Sequence, residues 1–217
     1  MFAYGAYSWL CKDGLFAHAF PVKDEHKLIK TPTQIDLGEY EDLVAITEKF
    51  KATFYNAGMM FQGRVYSEEL TPDYAGPRQL LNDIVSHEEV DKKYFISEAN
   101  MPKWEYLKGA KKIEHTSKTG FSYNFSEGPI AFPDPLDRPA RTMLTSEGTT
   151  NRSSHVIIDR VTGQYRRLTP EECEQINGFD IGWTDTGMPE RQRYFIMGNA
   201  LVVPLIEKMG KELLNIF

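Results

Sequence analysis

"LTPEECEQINGFD", residues 168–180, carries the sharpest local signal in the chain. Thr169 can cap a helix, and Pro170 suits its first turn because the missing N–H is one the helix leaves unbonded anyway. Glu172, three residues after the cap, closes a capping box, and Gly178 supplies the stop. Just upstream, "DRVTGQ" at 159–164 reads as a hairpin turn leading into "YRRL", and a strand pair is expected around "ARTMLTS" (140–146) and "SHVIID" (154–159). Downstream, "RYFIMGNALVV" at 193–203 puts Gly198-Asn199 where a last amphipathic helix should begin. That helix is expected to run through Leu205, Ile206 and Met209 to Leu213 and Leu214.

Further out the signals weaken. "MFAYGAY", residues 1–7, reads as a buried strand, and residues 13–38 as loop with short strands. "LGEYEDLVAITEKFKATFYNAG", 37–58, has a helical pattern ending at Gly58. Residues 78–97 begin helically and continue into an extended Tyr94-Phe95-Ile96. "GFSYNFSEG", 120–128, alternates as a strand does, and the proline-rich stretch 128–142 cannot be regular helix.

With 41 % hydrophobic residues, 217 residues can bury a core. No apolar run approaches the roughly 18 residues of a membrane span, and the start lacks a signal-peptide pattern, so a soluble cytoplasmic protein is expected. Cys11 and Cys173 stand far apart with no metal-ligand spacing, which supports neither a disulfide framework nor a metal site. The net charge of −6 argues against a surface that grips nucleic acid all over, but charge is uneven. Between 101 and 118, Lys103, Lys108, Lys111, Lys112 and Lys118 outnumber Glu105 and Glu114 and are interleaved with Trp104 and Tyr106. A second basic stretch holds Arg152, Arg160, Arg166 and Arg167. Cations beside rings suit a phosphate backbone and a stacked base; a solvated face is the alternative. No Gly-x-Gly-x-x-Gly, Walker loop, His-Glu-x-x-His or Gly-x-Ser-x-Gly occurs. His155 reads as a surface or strand-end residue and Cys173 as a core thiol.

Residues 165–184, "YRRLTPEECEQINGFDIGWT", followed by 191–210, "RQRYFIMGNALVVPLIEKMG", resemble the C-terminal end of DNA cytosine-5 methyltransferases. There an Arg-x-Leu-Thr-x-x-Glu-Cys helix and a Gly-Phe-Pro-Asp turn precede a Gly-Asn-Ala/Ser-x-x-Val motif. "DRPARTMLTSEGTTNRSSHVI", 137–157, is similar to the family's preceding block, which holds the target-recognition domain against the catalytic domain. Gln175 and Asp180 depart from the pattern, standing where most members carry arginine and proline, and are expected to loosen the turn.

The resemblance implies a mixed α/β fold: the C-terminal piece of a Rossmann-like methyltransferase domain plus an irregular, strand-rich target-recognition domain. Residues 1–12 would give one strand of the catalytic sheet, 13–130 the target-recognition domain, and 131–217 the organising block and closing helices. It implies double-stranded DNA as substrate, S-adenosylmethionine as cofactor, and a restriction-modification setting. Asn199 and Ala200, with Phe179 of the Gly-Phe turn, are implied to border the cofactor. Helix-start N–H groups near Asn199 would suit the methionine carboxylate. Arg141, Thr142 and Arg166 match positions that pack or contact DNA at the hinge, internal salt bridging being the alternative. Lys103, Lys108, Lys111, Lys112, Ser117 and Arg152 complete the expected DNA surface, with base reading between Lys103 and Tyr123.

The chemistry needs a base flipped from the duplex, a cysteine thiolate attacking C6, and an acid at N3. The family's Phe-x-Gly-x-Gly, Pro-Cys, Glu-Asn-Val and Gln-x-Arg-x-Arg blocks do not occur in these 217 residues. The expectation is therefore no catalytic residue in this chain, inactivity alone, and a partner subunit or N-terminal segment carrying the nucleophile. A non-catalytic DNA-binding module, a partnerless remnant and a structural interaction protein are the alternatives.

Overall fold

The computed structural model describes residues 5, 8–23, 33–51, 53–118, 120 and 122–215. They fall into two compact units, 1–76 with 206–217, and 77–205.

In the first unit a π-helical turn, Trp9–Asp13, precedes α1 (Leu15–Ala19). The strand expected at 1–7 lies almost wholly outside the described residues; Gly5, which is described, is helical, as is the turn from Trp9. Then come β1 (Thr33–Asp36), α2 (Leu43–Lys49), β2 (Ala57–Phe61) and β3 (Arg64–Glu68), forming an antiparallel sheet in the order β1-β3-β2. The helix expected over 37–58 shrinks to α2, capped by the Asp42 carboxylate accepting from the Ala45 N–H at 2.7 Å. Residues 57–58 go instead to β2, because Gln62 (φ 48°) and Gly63 (φ 77°) form a two-residue turn whose twist matches two antiparallel strands.

The second unit holds α3 (Met101–Lys108), β4 (Lys111–Thr116), β5 (Ser122–Glu127), β6 (Val156–Ile158), β7 (Tyr165–Arg167), α4 (Pro170–Ile176) and α5 (Glu190–Asn199). The chain's last helix, α6 (Val203–Leu214), straddles the division between the units. β4 pairs with β5 and β6 with β7, both antiparallel. The turn at 159–164 makes the β6–β7 hairpin as expected, but "ARTMLTS" is not a strand, so the pair anticipated between it and "SHVIID" is corrected: β6 spends its pairing on β7. Phe95 forms an isolated bridge with Arg166, and the Ile96 N–H reaches the Tyr165 carbonyl at 2.9 Å, so part of the extended segment lies along β7.

α4 forms as its sequence dictates. The Thr169 hydroxyl accepts from the Glu172 N–H at 3.3 Å, and the Glu172 carboxylate accepts from the Thr169 N–H at 2.8 Å. Beneath it Leu81, Val85, Met143, Ile157, Leu168, Cys173, Tyr194 and Met197 form the core. Arg166 lies wholly inside, its guanidinium donating to Glu172 at 2.7 and 2.8 Å and to Asp159 at 2.7 Å. Arg166 thus joins β7, α4 and the hairpin turn from within, and deleting one member of such a buried set costs about 3–5 kcal/mol.

Candidate cofactor pocket and nucleic-acid surface

Gly178 ends α4 at φ 80°, a conformation open to glycine, and turns the chain into Phe179. The turn is fully bonded despite Gln175 and Asp180. Gly178 N–H donates to the Gln175 carbonyl at 3.0 Å and Phe179 N–H to the Glu174 carbonyl at 3.0 Å. The buried Glu174 carboxylate receives Gly182 N–H at 2.6 Å, Thr184 N–H at 3.0 Å and Arg193 Nη2 at 2.8 Å. Burial opposes its ionisation, yet hydrogen bonds from Arg193, Thr184 and Gly182 outweigh that and hold the carboxyl below its ordinary range. The expected loosening does not occur, because a carboxylate and an arginine that the sequence reading did not single out fix residues 179–184.

That loop and the end of α5 line an open pocket of about 480 Å³, formed by Phe179, Trp183, Thr184, Thr186, Met188, Ile196, Met197, Asn199 and Ala200. The three residues expected at the cofactor, Phe179, Asn199 and Ala200, therefore meet in one cavity. The Phe179 and Trp183 rings lie 5.9 Å apart, tilted by 41°. The volume falls within the roughly 300–1,000 Å³ of small-molecule sites, and the lining combines two aromatic residues with the Asn199 amide and the Thr184 and Thr186 hydroxyls. The lining holds no lysine or arginine.

The local geometry at Asn199 differs from the expectation. The last helix does not begin there: α5 ends at Asn199, Ala200 is extended, and α6 starts at Val203. Val203 donates its N–H to the Asn177 carbonyl at 2.8 Å, and the Asn177 amide donates to the Met197 carbonyl at 2.8 Å, satisfying the end of α5 from outside. Asn199 sits at the negative end of a helix dipole, which favours the cationic part of a ligand over a carboxylate. Gly198 has a packing reason instead. A Cβ there would lie 2.4 Å from Leu144 C and Thr145 N, so only glycine lets α5 press onto the backbone of residues 144–145.

The expected DNA-contacting residues separate into two groups. Lys103, Lys112 and Thr142 are exposed and Ser117 is half-buried. Lys108 is corrected: it is 2 % exposed, donates to the Ser154 carbonyl and stands 5.8 Å from the Trp104 ring, out of reach of a phosphate. Burial lowers its pKa to about 8. Arg166 is likewise internal, as described above. Arg141 grips Asp134 with Nε at 2.5 Å and Nη2 at 3.1 Å, realising the salt-bridging alternative. Arg152 donates to the carbonyls of Leu107 at 2.8 Å, Gly109 at 2.9 Å and Gly128, clamping both roots of the β4–β5 ribbon. Lys111 lies 3.8 Å from Glu127 and 4.7 Å from the Tyr106 ring centroid. His155, expected near the surface, is buried with Nδ1 3.1 Å from Glu147; its Nε2 finds no hydrogen-bond partner among the described residues.

Both cysteines are buried, and desolvation, reinforced by Glu147, Glu172 and Glu174, pushes the Cys173 thiol well up. No group of three or more potential metal ligands gathers among the described residues. No described helix is long and apolar enough to cross a membrane.

Residues 39–215 match the C-5 cytosine-specific DNA methylase family. The chain belongs to that family. It is similar to the Type II methyltransferase M.Sau3AI of Staphylococcus aureus, 44 % identical over 202 residues that make up 93 % of this chain and 47 % of that protein. The chain thus spans about half the length of this curated relative. A solved structure titled as the Entamoeba histolytica methyltransferase EhMeth is similar at 16 % identity and a TM-score of 0.44, over 71 % of this chain and 48 % of the other.

Proposed function

We propose that this chain is the DNA-reading and cofactor-closing part of a type II DNA cytosine-5 methyltransferase, with the cysteine nucleophile and the main cofactor loop supplied by a separate polypeptide or segment. The observation that carries the reading is the meeting of Phe179, Asn199 and Ala200 in one pocket inside the stretch that matches the methylase family. S-adenosylmethionine would supply the methyl group. This chain's part is to present the Phe179 and Trp183 rings to the nucleoside and the Asn199 amide to a polar or cationic portion of the donor. The burial of both cysteines, with the Cys173 thiol pushed well up by desolvation and nearby glutamates, supports the division of labour, since a buried neutral thiol is a poor nucleophile for addition to cytosine C6.

Residues 13–130 are proposed as the target-recognition part and 131–217 as the organising block with its closing helices. Double-stranded DNA is the substrate in this reading and the isolated chain is inactive. Photo-crosslinking of radiolabelled S-adenosylmethionine to this chain, with the nucleophile-bearing part present, tests the pocket. Label should map to peptides covering 179–186 or 196–200 and fall with Phe179→Ala; label confined to the partner would refute it.

A further inference from the structure

Two of the cations expected to grip phosphates, Arg152 and Lys108, turn out to be a frame. Arg152 holds Gly109 and Gly128, the residues flanking β4 and β5, while Lys108 holds Ser154 and receives the Ile130 N–H on its carbonyl at 2.8 Å. What they hold is a two-stranded ribbon, six residues a side, whose side chains are almost all exposed. An isolated two-stranded ribbon is marginal in water, so its stiffness has to come from its faces and roots.

Pairing register sorts the side chains. One face carries Ile113, Tyr123, Phe125 and His115; the His115 ring stacks on Tyr123 at 5.8 Å and meets Phe125 edge-on at 5.7 Å. Cross-strand ring contacts of this kind stiffen a ribbon. The opposite face carries Lys112 beside Ser126, Glu114 beside Asn124, and Thr116 bonded to Ser122 at 3.1 Å. All six are exposed. The result is a row of mixed donors and acceptors on a braced, pre-formed support.

We propose that this polar face is the base-reading surface, lying in the major groove of duplex DNA with Lys112, Glu114 and Asn124 meeting base edges. The proposal rests on the DNA-reading assignment above and adds where and how the sequence is read. A two-stranded ribbon fits the major groove, which is about 12 Å wide and presents a distinct donor and acceptor pattern for each base pair. Lysine suits guanine O6 and N7, glutamate accepts from cytosine N4, and an asparagine amide suits adenine N6 and N7. The set therefore points to a site containing both G·C and A·T pairs. Near-neutral charge on this face fits reading rather than gripping, because phosphate contacts position a protein and base contacts specify.

The test uses the whole chain and a pool of duplex oligonucleotides randomised over eight positions, with bound DNA sequenced after selection. Wild type should enrich one pattern. Asn124→Ala and Glu114→Gln should each relax the preference at one position by roughly five- to hundredfold, while weak binding to unselected DNA and its salt dependence stay unchanged. Phe125→Ala, on the other face, should weaken binding to every sequence and leave the pattern intact. An unchanged pattern in Asn124→Ala and Glu114→Gln, with wild type selecting normally, overturns the ribbon assignment and leaves the DNA-reading function standing. Failure of the wild type to bind any duplex overturns both.

Discussion

Gly198→Ala separates two explanations of the Gly-Asn pair at the end of α5. If glycine were there only as a helix-end residue, alanine would stabilise the helix by up to about 1 kcal/mol. The structure predicts the reverse. The added Cβ would stand 2.4 Å from Leu144 C, 2.4 Å from Thr145 N and 2.5 Å from Leu144 O, roughly 1 Å inside ordinary contact with backbone atoms that have no rotamer to change. Overpacking of this kind costs about 1–3 kcal/mol, and a backbone clash belongs at the upper end. Subtracting the helix gain leaves about 2 kcal/mol of destabilisation, a fall in melting temperature of about 4–8 °C for a chain of this size. Calorimetry and urea titration of wild type and variant read this directly. The displaced end of α5 carries Asn199 and Ala200, so cofactor capture should weaken with stability. A variant as stable as wild type, or more so, would refute the close-approach account.

Asn199→Ala should behave oppositely: among the described residues its amide bonds only the Phe195 carbonyl, at 3.2 Å, so stability should move by less than about 0.5 kcal/mol while S-adenosylmethionine crosslinking drops. Arg166→Met leaves the buried Asp159 and Glu172 carboxylates without their cation, and should cost about 3–5 kcal/mol in urea unfolding. Lys108 gives a pH test. Its folded pKa of about 8 lies below the ordinary 10.5, so between those values the unfolded chain binds more protons and stability rises with pH. Lys108→Met should abolish this rise, seen as a wild-type minus variant difference that grows from pH 8 to 10.5; a flat difference would contradict burial as the cause.

How much of this was legible in the sequence depended on how local the cause was. The capping box of α4 and its glycine stop involve residues three to nine apart, and they form as written. The β6–β7 hairpin was equally local. The roles of Lys108 and Arg152 were not, because both are decided by carbonyls far along the chain: Lys108 by Ser154, Arg152 by Leu107, Gly109 and Gly128. A lysine in a basic run looks the same whether its ammonium faces water or a buried carbonyl. Gly198 was misread for a similar reason, since its neighbour is the backbone of residues 144–145, more than fifty positions away. Phe179, Asn199 and Ala200 were found through ordered motifs. Trp183, on the same wall, and the Glu174–Arg193 pair behind it carried no motif. Their signal was available in part: "GFDIGW" ends in a large aromatic that the structure leaves 60 % exposed at a pocket mouth.

The central claim is that this chain and a nucleophile-bearing part make one methyltransferase. Its most direct test is transfer of labelled methyl from S-adenosylmethionine to duplex DNA, followed by digestion to nucleosides, for each polypeptide alone and for the mixture. The account predicts 5-methylcytosine from the mixture only, lost when Phe179→Ala replaces the wild-type chain. Methylation by this chain alone would contradict it, because one of the two buried cysteines would then have to be the nucleophile.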